Sequence, residues 1–429
     1  MDINKSIKEN TYAIYGLGLS GKSALKFLKK KKAKRIYIWD DKKKLKNRKN
    51  LNFFKKALNK VDYILISPGI NIKKTKFKST LTKNKKKIIT DLDLFYMQKI
   101  PVKSIMITGT NGKSTTCKLI QHVLRTNKMN AQLGGNIGKP ILDLKIKKNT
   151  IVIIEASSFQ LYYLKFAKPS IASILNITKD HLDWHGTIKN YQDAKFGIFF
   201  NQDQQDLALL KSKEHIKKFK KKFFRSKLIQ IGESIIKKSF KKKIKNKYLL
   251  NKPNFENLSF VYKLSSILKI KKNIILKALN TFKGLPHRNE LFYRKRGIIF
   301  INDSKATSFD ATQHVLKNNK NIFWIVGGLP KLKDKFKLED VKKNIIKTYL
   351  VGKNVNYFKK QVEKILKYKS SFTVENALRD IFKDLMLSDQ KEATVLLSPA
   401  SASYDQFNNF AERGNHFKKI SLKYARKFL

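Results

Sequence analysis

The sequence predicts an α/β protein of three domains. Short apolar runs alternate with helical patterns along the chain, the mark of parallel sheets covered by helices. Most runs end in glycine and small polar residues, and open α/β sheets bind ligands at their strands' carboxyl ends. Breaks near Ile100-Pro101-Val102-Lys103 and Thr281–Glu290 divide the chain into segments 1–100, 101–284 and 285–429. With 429 residues in all, each segment is long enough to bury its own core.

The first segment opens with a strand at Tyr12–Tyr15 that runs into Gly16-Leu-Gly18-Leu-Ser20-Gly21. A helical pattern (Ala24, Leu25, Leu28) and a second strand, Arg35–Trp39, lead to Asp40. This is the glycine fingerprint of a dinucleotide site, with an acid ~20 residues on. It fits NAD, and equally a β-α-β unit that receives any nucleotide diphosphate at its first turn. A further strand, Val61–Ile66, ends at Ser67-Pro68-Gly69, and the basic stretch Lys73–Lys87 reads as surface.

The second segment carries the strongest signal. The apolar run Ile105-Met106-Ile107 leads into Gly109-Thr110-Asn111-Gly112-Lys113-Ser114-Thr115 and then a helix. Loop N–H groups and a helix N-terminus bind phosphate, Lys113 adds a charge, and the Ser114 hydroxyl suits Mg²⁺. The loop is shorter than the common phosphate-loop pattern, with Ile107 where the first glycine would stand. Leu133-Gly-Gly-Asn136-Ile-Gly138 reads as a loop. A buried-type strand ends at Glu155-Ala-Ser-Ser158-Phe-Gln160, where a metal-binding carboxylate belongs. Another ends at Asn176 and leads to Asp180-His181-Leu-Asp183-Trp-His185, a polar group suited to metal or phosphate chemistry. Residues 205–250 are lysine-laden, with short strands and helices and no motif.

The third segment begins near Gly284-Leu-Pro286-His287-Arg288-Asn-Glu290 and reads as another mostly parallel sheet. Strands at Gly297–Asn302, Ile322–Val326, Thr348–Val351 and Thr394–Leu397 end in small polar residues: Asp303-Ser-Lys305-Ala-Thr307, Gly327-Gly328 and Ser398–Ser403.

The net charge is +63. Lysines are spread over the whole chain, with Ile, Asn and Phe also plentiful. All four have AT-rich codons, so base bias accounts for the excess without a nucleic-acid partner, and no aromatic-interleaved basic motif is present. One cysteine, Cys117, excludes an internal disulfide and fits a reducing cytoplasm. No apolar run approaches the ~20 residues of a membrane span, and the N-terminus does not read as a secretion signal.

These motifs together resemble the Mur ligase family. The shared residues are Gly109–Thr115, Asn136, Glu155, Asn176 with Asp180-His181, and His287-Arg288. Similar to the D-glutamate-adding members are Glu155–Leu161, Gly284–Arg288, Asn302–Thr307 and the long run Leu397–Phe417. The resemblance implies an N-terminal Rossmann-like domain that holds UDP-N-acetylmuramoyl-L-alanine, a central P-loop ATPase with a parallel sheet, and a C-terminal Rossmann-like domain for D-glutamate. It implies joining of the two by ATP through an acyl phosphate, in cytoplasmic peptidoglycan synthesis. The enzyme is expected to be a monomer with small-molecule partners, no membrane and no specific nucleic acid.

Residue roles follow from the same resemblance. Gly16, Gly18, Ser20, Asp40, Ser67, Gly69 and Asn136 would face the UDP substrate. Gly109 to Thr115, with Asn254, Asn257, Arg288 and Asp303, would face ATP. Ser114 and Glu155 would hold one Mg²⁺; His181 and a carbamylated Lys195, four residues after Tyr191, would hold a second. Lys113, His181 and Lys195 would be catalytic, and Thr307, Lys331, Ser403 and Phe410 would receive D-glutamate. Two other readings remain: a basic P-loop protein that binds nucleic acid, and an NAD-binding oxidoreductase that leaves the phosphate loop unexplained.

Overall fold

A computed structural model describes residues 6–41, 49–250, 252–330, 335–388 and 391–429. It has three sheets, all α/β. The first contains β1 (Thr11–Tyr15), β2 (Arg35–Trp39), β3 (Tyr63–Ile66) and β4 (Ile88–Ile89), all parallel, in the order β2-β1-β3-β4. The second contains β5 (Lys103–Thr108), β6 (Ala131–Gly135), β7 (Ile151–Glu155), β8 (Ile171–Ile174), β9 (Leu207–Leu210) and β10 (Lys227–Gln230). It too is wholly parallel, in the order β10-β9-β8-β5-β7-β6. The third contains β11 (Glu290–Lys295), β12 (Ile298–Asn302), β13 (Ile322–Gly327), β14 (Ile345–Val351), β15 (Tyr368–Phe372) and β16 (Ala393–Leu397). Its order is β11-β12-β16-β13-β14-β15, with only β11 antiparallel.

The chain forms two compact units, Met1–Phe282 with the first two sheets and Lys283–Leu429 with the third. Side chains alternate across a strand, so a parallel sheet covered on both faces must be apolar at every position. β5 meets this demand. Ile105 and Ile107 face the core that holds Leu119, Ile120 and Val123 of the helix Lys113–Thr126, and Met106 faces a second core with Val152, Ile154 and Ala172. The third sheet is built alike, with Phe323 and Ile325 in one core and Trp324 and Val326 in the other. Among the described residues no helix is long and apolar enough to cross a membrane.

Three readings of the sequence are corrected. Leu133-Gly134-Gly135 is no loop but the end of edge strand β6, since glycine is tolerated where only one neighbour must be matched. The stretch Lys73–Lys87 is not only surface, because it includes the helix Lys78–Lys83 and buries Phe77 and Leu81. Strand β11, half-exposed and without a continuous apolar run, went unread.

The first loop depends on close backbone approach. A Cβ at Gly21 would lie 1.9 Å from the Gly16 carbonyl oxygen, whereas one at Gly69 would meet nothing within 4 Å. Gly21→Ala is therefore expected to cost about 2 kcal/mol or more through overpacking, and Gly69→Ala to stay within about 0.5 kcal/mol. Urea denaturation of the two variants measures the difference.

Candidate active site

The loop after β5 gathers side chains from three strand ends. Gly112, at φ +83°, caps the helix Lys113–Thr126 in a left-handed conformation, and a Cβ there would lie 2.1 Å from Asn257 Oδ1. Asn176, at the end of β8, braces the loop from the other side. Its carbonyl accepts from Thr110 N–H (2.9 Å), its Oδ1 accepts from Asn111 N–H (2.9 Å), and its Nδ2 donates to the Asn111 carbonyl (3.2 Å). The Lys113 ammonium lies over its own loop, donating to the carbonyls of Gly109 and Thr110, both at 2.8 Å. Ser114 and Thr115 are buried in the first helical turn. Asn254 donates to the Tyr248 carbonyl at 2.9 Å.

Glu155, at the end of β7, is 2% exposed. Its Oε1 accepts from Asn136 Nδ2 at 2.7 Å, and its Oε2 is buried with no hydrogen-bond partner. Asn136, expected at the UDP substrate, is thus engaged with this carboxylate. A buried carboxylate oxygen with no donor carries a desolvation cost that a cation would relieve, so Glu155 fits a metal ligand. Among the described residues no group of three or more His, Cys, Asp or Glu is placed to hold a metal.

Lys195 is the unusual cation, 1% exposed in the helix Ile188–Phe196. Its ammonium donates to the Gly109 carbonyl (2.8 Å) and the Thr108 hydroxyl (3.4 Å), and lies 4.6 Å from the centre of the Tyr191 ring. Burial first, and the Lys113 charge second, push its pKa well below the ordinary lysine value. Tyr191 also pairs its hydroxyl with that of Thr110 at 3.1 Å. His181 is in the left-handed region (φ +51°), its Nε2 3.4 Å from Asp180 and its ring against Phe159. His185 is buried, with Nε2 3.0 Å from the Ser158 hydroxyl, and desolvation lowers its pKa to about 4.

In the first sheet, Asp40 accepts from Leu17 N–H at 2.5 Å, and Ser67 donates to the Gly16 carbonyl at 2.9 Å. Gly16 has φ +95°, Gly18 precedes the helix Leu19–Lys30, and Ser20 is within that helix. All stand with Gly69 at the carboxyl ends of β1, β2 and β3.

In the second unit, Asp303 follows β12 and is 4% exposed. It accepts from Asn289 N–H (3.0 Å) and the Ser398 hydroxyl (2.7 Å). Burial raises its pKa to about 6, opposed by the hydrogen bonds from Ser398 and Asn289 and then by the neighbouring Arg288. Arg288 buries an Nε with no hydrogen-bond partner. Thr307 is half-buried in the loop after β12 and Ser403 is buried in the loop after β16. Phe410 starts the last helix, its carbonyl accepting from Ser304 (2.8 Å) and its ring 5.3 Å from the Lys305 ammonium. Lys331 lies outside the described residues.

Sequence reasoning missed the bracing by Asn176, the contacts of Tyr191 and the role of Arg413. Tyr191 was legible, since residues four apart on a helix share a face. Arg413 gave no local sign. Its buried guanidinium donates to the Ser304 hydroxyl (3.0 Å) and to the carbonyls of Ser304 and Ser401 (both 2.9 Å).

Asp303 gives a pH test. Its folded-state pKa of about 6 lies above the ~3.9 of an unfolded chain, so the folded state holds the proton more tightly. This group's contribution to stability is present below about pH 4 and is lost as pH rises toward about 6. Asp303→Asn should flatten that slope in melting temperature between these values, and a slope unchanged by the substitution would contradict the assignment.

Residues 107–275 match the Mur ligase middle domain, and residues 10–89 match the Mur ligase MurD-like N-terminal domain. The UDP-N-acetylmuramoylalanine–D-glutamate ligase of Rickettsia felis is 34% identical over 384 residues, covering 85% of each chain. Its counterpart from Fusobacterium nucleatum is 33% identical over 441 residues, covering 96% of this chain and 98% of its own. The fold is similar to that of the MurF ligase of Thermotoga maritima in complex with ADP, at a TM-score of 0.55 and 16% identity, over 98% of this chain and 96% of that one. The chain belongs to the Mur ligase family, in the branch of the UDP-N-acetylmuramoylalanine–D-glutamate ligases.

Proposed function

We propose that the chain is an ATP-dependent ligase that adds D-glutamate to UDP-N-acetylmuramoyl-L-alanine in cytoplasmic peptidoglycan synthesis, acting as a monomer. The observation that carries this reading is the convergence on Gly109–Ser114 of a phosphate loop, a buried carboxylate with an unshared oxygen, and a buried lysine of lowered pKa.

The first step joins two anions. A carboxylate oxygen of the L-alanyl substrate attacks the γ-phosphorus of ATP, the bond to the ADP oxygen breaks, and an acyl phosphate forms. Lys113 and the loop N–H groups, with the helix N-terminus behind them, offset charge on the transferring phosphoryl group. Arg288, with a planar fork of donors, and Asp303 are assigned to ATP, together with Asn254 and Asn257. The amine of D-glutamate, as the free base, attacks the acyl carbon, and the tetrahedral intermediate expels phosphate. Lys331, Thr307 and Ser403 are assigned to supply the cation and hydroxyls that a dicarboxylate needs, and Phe410 is assigned to the same substrate. In the N-terminal sheet, Gly16, Gly18, Ser20, Ser67 and Gly69 line the uridine nucleotide loop.

Ser114 and Glu155 are assigned to one Mg²⁺, and His181 with Lys195 to a second. Mg²⁺ bound there would neutralise phosphate charge. Lys195 is assigned as a carbamate, because an ammonium has no lone pair for a metal and a carbamate supplies the hard oxygens that Mg²⁺ takes. Carbamylation adds CO₂ to the neutral amine and releases a proton, and the burial of Lys195 favours that neutral amine.

Two measurements test this reading. Phosphate release from ATP with UDP-N-acetylmuramoyl-L-alanine should respond to D-glutamate and not to other D- or L-amino acids; release stimulated instead by RNA or DNA would reject it. Lys195→Ala should lose most of the activity, and acetate or formate should restore part of it by occupying the vacated space. Lys195→Arg should not be rescued. A fully active Lys195→Ala enzyme would remove the second metal site and leave the ligase reading standing.

A further inference from the structure

Asp91 opens the helix Asp91–Met97, two residues after β4, and is 2% exposed. Its Oδ1 accepts from the side-chain Nε2 of Gln160 at 3.0 Å and from Leu92 N–H at 3.1 Å. Its Oδ2 is buried with no hydrogen-bond partner, and the Ser20 hydroxyl lies against the same carboxyl group. Asp91 and Ser20 belong to the first sheet's domain, whereas Gln160 follows β7 of the second.

Gln160 organises the turn after Glu155. Its backbone N–H donates to Ser157 Oγ at 3.2 Å. Its side-chain Oε1 accepts from Ser157 N–H at 3.1 Å and from Ser157 Oγ at 3.0 Å. These bonds form the capping box of the helix Ser158–Tyr162. Ser157 stands two residues beyond Glu155, so the box holds the chain that carries the unshared carboxylate oxygen.

A glutamine amide has one donating end and one accepting end, and its partners decide which way it points. Asp91 Oδ1 accepts whether or not Oδ2 carries a proton. The amide nitrogen must therefore face Asp91, which leaves Oε1 for Ser157. The reverse orientation would set two oxygens together at Asp91 and an NH₂ against the Ser157 N–H, leaving buried groups unsatisfied.

We propose that Asp91 is a positioning residue for the ligase reaction: it orients the Gln160 amide, which sets the 155–160 turn so that Glu155 offers its free oxygen to the metal. This rests on the reading of Glu155 as a Mg²⁺ ligand. Groups that orient a metal ligand commonly govern affinity by about tenfold or more.

The test reverses the polarity of the pair. Gln160→Glu retains the acceptor for Ser157 and turns a second oxygen toward Asp91, a repulsive contact. Adding Asp91→Asn supplies an NH₂ for that oxygen and restores the bond between the two side chains with donor and acceptor exchanged, at the loss of the short-range bond from Leu92 N–H. Two readouts apply: the Mg²⁺ concentration for half-maximal phosphate release, and Mn²⁺ binding in the presence of ADP by electron paramagnetic resonance. Gln160→Glu should weaken both about tenfold, and the double variant should return both to within about threefold of the unaltered enzyme. Asp91→Ala alone, which removes the acceptor for the Gln160 amide, should shift both in the same direction and provides the measurement if Gln160→Glu does not fold. A double variant as defective as Gln160→Glu, or single variants with lowered melting temperature and unchanged Mn²⁺ affinity, would overturn the proposal and leave the pair a structural tie. If the unaltered enzyme neither binds Mn²⁺ with ADP nor needs Mg²⁺, the reading of Glu155 fails first and this proposal with it.

Discussion

Two ammonium groups end on one backbone carbonyl. Lys113 reaches the Gly109 oxygen from the phosphate-loop helix, and Lys195 reaches it from the helix that packs behind, each at 2.8 Å. Like charges ~5 Å apart repel by on the order of 3 kcal/mol at an effective dielectric of about 20. The site tolerates this because the strand end offers carbonyls and hydroxyls as acceptors and because Lys195 is shifted toward its neutral form. Anything that brings negative charge relieves the conflict, whether a phosphoryl group on the loop or a carbamate on Lys195. The loop is therefore held in shape from outside, where Asn176 bonds to it and Asn257 lies close against Gly112, since the charges within it push apart.

The same tension runs through the whole chain, where basic residues outnumber acidic ones 94 to 31. With carboxylates so scarce, their uses are informative. Several of the buried or half-buried ones are bonded to backbone N–H groups and hydroxyls. Asp93 accepts from Thr90, Lys165 and Phe166 N–H groups, Asp40 from Leu17 N–H, and Asp303 from Asn289 N–H and Ser398. Many of the ion pairs are exposed, such as Lys342 with Glu339 and Lys317 with Asp340, where each contributes little. Carboxylates thus position turns and loops, and the excess positive charge remains on the surface as a field that salt screens.

What the sequence disclosed follows the range of each interaction. The phosphate loop, Glu155 and the glycine turn at Gly16 are local: a strand, a turn and a helix start within a dozen residues, and the residues at the turn can be read in order. The buried strands of the second and third sheets were legible for the same reason. Strand β6 and strand β11 were not, because an edge strand needs no continuous apolar run. Phe77 and Leu81 were masked by the lysines around them. Bonds between distant segments carried no local sign. Asn136 reaches Glu155 across 19 residues, Gln160 reaches Asp91 across 69, and Arg413 reaches Ser304 across 109. Lys195 would have read as one more surface lysine without the family resemblance, and only its burial separates it from the rest.

Arg413 extends the logic of the opening pair to the second unit. A buried guanidinium without a bonded carboxylate is costly, and burial lowers its pKa to about 10. The cost is offset by carbonyl oxygens of Ser304, which follows β12, and Ser401, which follows β16, with the Gly327 carbonyl at the end of β13 at 3.5 Å. Parallel strands leave outward-pointing carbonyls at their carboxyl ends, and a planar fork of donors can take several at once. A neutral residue could not gather those carbonyls, and a carboxylate would repel them. A lysine ammonium at the end of β5 and an arginine fork at the ends of β12, β13 and β16 are thus two answers to the same geometry. Each satisfies the exposed carbonyls of a parallel sheet, and each leaves positive charge at the end of the sheet where an anionic substrate would be received.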